Sequence, residues 1–158
     1  MTQNSWTIAV GQVVLALLVG IATACQPPIN AKFAQFTPSR IYGSVLNFAV
    51  GLAVMLTVLA TYSIATRTPA PNMQQVAQAP WWSWIGGILG AFFVTMSIIL
   101  LPKMGAAVFV SVVVAGQLVG AAVIDHYGLL DVTARPMSWG RIFGVLLLIA
   151  GVICIRKL

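Results

Sequence analysis

The chain has 158 residues, 60 % of them hydrophobic and 6 % charged, and its mean hydropathy is +1.01. Soluble domains carry about 25 % charged residues, so eight basic and two acidic side chains cannot clothe a water-facing surface of this length. The net charge of +6 does not point to nucleic acid, because the basic residues are scattered at the ends of apolar tracts and form no stripe.

A bilayer core about 30 Å thick needs about 20 apolar residues per helix, and five tracts meet that length. The first predicted segment covers residues 5–25 and is read as a span, not a cleaved leader, because no basic residue precedes it and it is long for a leader's apolar region. Gln26-Pro27-Pro28-Ile29-Asn30 then predicts a kink or a helix end, since proline lacks an amide hydrogen and clashes with the preceding turn. The second segment covers 41–65. The stretch from Thr66 to Pro80 follows, with three prolines, one asparagine and three glutamines, and reads as the longest polar connection.

Trp81-Trp82-Ser83-Trp84 opens the third segment, 81–101, as an aromatic belt at headgroup level. A turn of about two to four residues is expected at Pro102, before the fourth segment at 104–124. Asp125-His126-Tyr127-Gly128 closes that segment. The fifth covers 137–155, with Arg141 placed to snorkel to the interface. The fold class is thus all-α, a single polytopic membrane domain over 1–158 with five transmembrane helices.

Five spans put the termini on opposite sides. One side holds Lys32, Arg40, Lys103, Arg156 and Lys157, and the other holds Arg67, Arg135 and Arg141. The excess of two weakly favours a cytoplasmic C-terminus, and it is also compatible with insertion in both orientations. Gly86/Gly90, Gly116/Gly120 and Gly140/Gly144 are pairs four apart in three successive segments. They predict close helix approach within a tightly packed bundle.

Cys25 and Cys154 have no metal-ligand spacing and read as small buried hydrophobes. No cofactor or metal is expected, and no Ser-His-Asp constellation or phosphate loop points to an enzyme. Amides at membrane depth are costly unless paired or wet. Gln117 therefore either bonds another helix or lines a solute path. Gln26 and Asn30, four apart beside the two prolines, share a face where a broken helix could present backbone groups to a substrate; they also read as a capped polar helix end. Asp125 and His126 are candidates for proton coupling if they lie within the hydrocarbon. The uncharged tract before them places them at the boundary instead.

These residues, in order, resemble a known family. The stretches are Gln26 to Ala31, Asn47-Phe48 with Gly51, Pro80-Trp81-Trp82 leading into Gly86 to Ala91, Pro102 and Gly105, Gly116-Gln117-Leu118, Asp125 to Gly128, and Arg141, Gly144 and Gly151. The resemblance is to the five-helix YdcZ-like branch of the drug/metabolite transporter superfamily and covers nearly the whole chain. It implies half of a ten-helix transporter fold in a bacterial inner membrane. It further implies antiparallel dimers, formed by one dual-topology protein or by two oppositely inserted paralogues. The superfamily's four-helix multidrug exporters use a glutamate in their first helix, and this chain has no acidic residue in its first segment.

The expected function is secondary transport of a small metabolite or amphiphile by alternating access, with membrane lipid and a second subunit as partners. Gln26, Asn30, Asn47 and Gln117 would line its cavity. A channel and a non-transporting accessory subunit are the alternatives.

Overall fold

A computed structural model describes residues 3–157, with side chains from Trp6 onward. Six α-helices form, α1 (Gln3–Ala34), α2 (Arg40–Thr66), α3 (Met73–Val76), α4 (Ile85–Met104), α5 (Ala106–Tyr127) and α6 (Trp139–Lys157), with short 3₁₀ turns at Trp81–Trp84 and Leu129–Asp131. All but α3 are long and apolar enough to cross a membrane, so the protein is all-α with five candidate spans.

The largest departure from expectation is α1. The helix does not end at Cys25 but carries Pro27 and Pro28 in its interior and runs on to Ala34. The physical reason is the solvent. Ending a helix in hydrocarbon strands several backbone groups, whereas a proline within it strands one carbonyl. At 1.5 Å per residue, 32 residues reach about 48 Å. The last turns, with Lys32, therefore extend beyond a core about 30 Å thick.

Pro102 likewise lies inside α4, and the expected turn there is instead a single residue, Gly105. Its φ of +80° is a conformation that side chains with a Cβ rarely adopt. Gly128, at φ +62°, ends α5 in the left-handed conformation. A Cβ there would lie 3.1 Å from that of Ala134. Ser39 caps α2, its Oγ accepting the Tyr42 amide at 3.4 Å.

Successive spans alternate in direction. One end of the bundle gathers Lys32, Arg40, Lys103, Arg156 and Lys157, and the other gathers Arg67, Arg135 and Arg141 with both aspartates. The packed core sits toward the basic end. Ala31 and Ala34 of α1, Val94 and Ile98 of α4, and Phe109 of α5 are its buried apolar residues, joined by Asn30, Ser44 and Ser97. Thr95 of α4 donates to the Ser44 hydroxyl of α2 at 3.2 Å, the polar tie across these helices. Most other hydroxyls at depth bond their own helix: Thr57 to the Ala53 carbonyl, Ser97 to Val94 and Ser111 to Ala107.

Away from this core the bundle is open. The expected glycine contacts do not form within the chain: a Cβ built on Gly86, Gly116, Gly120 or Gly144 meets nothing within 4 Å, and Gly90 alone touches another helix, at the Phe48 ring. Gly86, Gly116 and Gly120 are exposed, Gly144 borders open clefts between α5 and α6, and the tight approach is made by Gly43 against Ala34. Cys25 and Cys154 are exposed on the single chain, not buried. Lipid tails impose no penalty on an apolar thiol, so nothing drives it inward.

Candidate functional site

The site grows from the two prolines. In an α-helix the carbonyls of Thr23 and Ala24 would accept from the amides of residues 27 and 28, and neither proline has one. Both carbonyls thus lack their helical donors at membrane depth, where unsatisfied backbone is tolerated only inside protein or along a wet cavity. Thr23, Ala24 and Pro27 all border a cavity of about 310 Å³ between α1, α4 and α5. Its walls are otherwise apolar, with Phe93 from α4 and Phe109, Val110, Val113 and Val114 from α5. Gln117, midway along α5, supplies the side-chain amide.

Pro27 and Phe109 are buried and join this cavity to the core at the basic end. The cavity remains partly open because α1 packs closely on α2 and α4 and only lightly on α5. The Thr23 hydroxyl donates to the Val19 carbonyl at 2.8 Å, which leaves its oxygen free to accept.

The sequence-predicted residues do not converge on one point. Gln117 lines the cavity. Asn30 is 4 % exposed, and its Nδ2 has no hydrogen-bond partner. Gln26 is exposed, and Asn47 is half-buried on α2. The prolines are thus the link between Gln117 and the Gln26–Asn30 stretch.

Comparison with known proteins agrees with this architecture. The profile of the family described as "Putative inner membrane exporter, YdcZ" matches residues 11–154. The chain belongs to the YdcZ family. It is 31 % identical over 139 residues to the inner membrane protein YdcZ of Escherichia coli (strain K12), an alignment covering 87 % of this chain and 90 % of that one. No solved structure matches significantly. Membership in this family and the five apolar helices support a transporter-like function for a multi-pass membrane protein.

Asp125 and His126 occupy the last turn of α5 in this YdcZ-family chain and organise the corner leading to α6. The Asp125 carboxylate lies 3.6 Å from the Arg141 guanidinium, each side chain more than a third exposed. Its carbonyl accepts the Arg135 amide at 2.6 Å. His126 Nδ1 accepts the Met137 amide at 3.0 Å, and Arg141 also donates to the Arg135 carbonyl at 3.2 Å. Among the described residues no group of three or more His, Cys, Asp or Glu side chains could hold a metal.

Sequence reasoning missed the Arg141–Asp125 pair, whose signal was an arginine in the first turn of the last span, sixteen residues after the aspartate that closes the span before it. It missed Phe93 and Phe109 as cavity walls, and nothing in an apolar run distinguishes them.

Proposed function

We propose that the chain is a non-enzymatic secondary transporter of a bacterial inner membrane, moving a small metabolite or amphiphile by alternating access through the α1–α4–α5 cavity. The observation that carries this reading is that Thr23 and Ala24, whose carbonyls the prolines leave without helical donors, line the same cavity as Gln117. Interrupted helices of this kind build the midplane sites of larger transporters. Gln117 contacts the solute directly. Gln26, Asn30 and Asn47 act from the flanking stretches as the helices move.

The working unit in this reading is an antiparallel pair, a homodimer or a heterodimer with a paralogue, each chain being half of a ten-helix fold. The exposed glycines Gly86 of α4 and Gly116 and Gly120 of α5 offer the partner a surface of close approach, and the partner completes the open side of the cavity.

The test needs no substrate. In a chain with Cys25 and Cys154 replaced by alanine, Val113→Cys places a thiol on the cavity wall. Alternating access predicts labelling by a membrane-impermeant maleimide from either side of reconstituted vesicles. A thiol that labels from neither side would mark a non-transporting subunit; a channel would be marked separately, by transport that does not saturate with solute concentration.

A further inference from the structure

The cavity's polar groups specify its guest, given the reading above that solute binds there. Its lining residues bring the Thr23 and Ala24 carbonyls that the prolines leave without helical donors, the Thr23 hydroxyl, already donating to Val19, and the Gln117 amide. Three of the four can only accept a hydrogen bond, and Gln117 can both accept and donate. No ionisable side chain borders the cavity. Asp125 and His126 lie about two turns beyond Gln117 on the same helix and are held in the α5–α6 corner by Arg141, Arg135 and Met137.

Each class of guest meets this wall differently. An anion faces carbonyl oxygens and has no cation to pair with. A metal ion finds too few oxygens to replace its hydration shell. An organic cation gains from the carbonyls and from the Phe93 and Phe109 rings, but it stays an uncompensated charge in a low-dielectric site. A neutral molecule with N–H or O–H donors satisfies the carbonyls, returns an acceptor to Gln117, and lays its apolar side on the valines and phenylalanines.

We infer that the cavity selects an uncharged amphiphile, an amide or alcohol that presents hydrogen-bond donors beside an apolar body. The site binds it without a counter-ion, and its occupancy is independent of pH wherever the guest itself does not titrate.

The test uses the full chain carrying Val113→Cys in the background lacking the native cysteines, reconstituted in liposomes, and reads protection from maleimide. Four probes share one skeleton: hydrocinnamamide, methyl hydrocinnamate, hydrocinnamate and phenylpropylammonium. The amide is expected to slow labelling, and the ester and both ions are not. Pro27→Ala restores an amide that pairs with the Thr23 carbonyl and strengthens the helix. It should weaken protection by the amide roughly fivefold, the net contribution of one neutral hydrogen bond. A cysteine that never labels removes the accessible cavity and the transporter reading with it. A cysteine that labels normally but is protected equally by the ester, better by either ion, or by none of the four overturns the guest class alone, as does a Pro27→Ala chain that binds the amide unchanged.

Discussion

Gly43 of α2 lies so close to Ala34 of α1 that a Cβ on it would stand 2.7 Å from the Ala34 Cβ and 2.9 Å from its Cα. The second distance is to backbone, so a rotamer change cannot relieve it. Gly43→Ala should therefore push α1 and α2 apart and destabilise the protein by about 1–3 kcal/mol, the usual cost of overpacking. Adding Ala34→Gly should recover only part of that loss, because the clash with the α1 backbone stays. Denaturant unfolding in micelles measures both, and an unchanged midpoint for Gly43→Ala would refute the close approach.

Asn30 separates structure from function. Its Nδ2 is buried without an acceptor, a condition that costs about 1–3 kcal/mol. Asn30→Leu removes the stranded donor at similar volume and should leave stability equal or higher. If Asn30 serves the solute path, the same variant loses transport or cavity protection. Gln26→Ala, at an exposed position, should also leave the fold intact. Parallel loss of folded protein and activity in either variant would assign these residues to structure.

The Asp125–Arg141 pair is partly exposed, so it contributes at most about 1 kcal/mol. Asp125→Asn should shift stability by less than that, because the carbonyl that holds the Arg135 amide is backbone and survives. His126→Ala deletes the acceptor of the Met137 amide and should speed hydrogen exchange at that position. Proton coupling through this corner would show as transport that loses its pH dependence in Asp125→Asn, a variant that leaves the backbone bond to Arg135 in place.

Orientation is tested at the tail. A cysteine appended after Leu158, with Cys25 and Cys154 replaced, is labelled from outside intact cells. An antiparallel homodimer predicts labelled and protected populations of similar size. A tail found on one side only, in the assembled protein, would require a differently oriented paralogue or a parallel pair.

The five spans were legible because charge marks their ends: Lys32 and Arg40, Arg67, Lys103, Asp125, Arg141 and Arg156 interrupt otherwise apolar tracts. Which of the two, a kink or a helix end, Pro27 and Pro28 would make was not legible. The rule that proline ends helices comes from water, which solvates a broken end, and lipid reverses the balance. The glycine pairs announced close approach without naming a partner, and within the chain that approach falls to Gly43 and Ala34 instead. Of the site, Gln117 could be picked out as an amide at mid-span. The carbonyls of Thr23 and Ala24 could have been found by counting four residues back from each proline.

The single-residue corner at Gly105 has a mechanical corollary. A connection that short has no slack, so α4 and α5 cannot slide past one another along their axes and turn as one rigid hairpin. The same hairpin is clamped to the last turns of α1 by the packing of Ala34 with Val94 and Ile98, and to the first turns of α2 by the Thr95–Ser44 hydrogen bond. A bend at Thr23 and Ala24, where two helical hydrogen bonds are missing, would move the N-terminal part of α1 while this clamp stays in place.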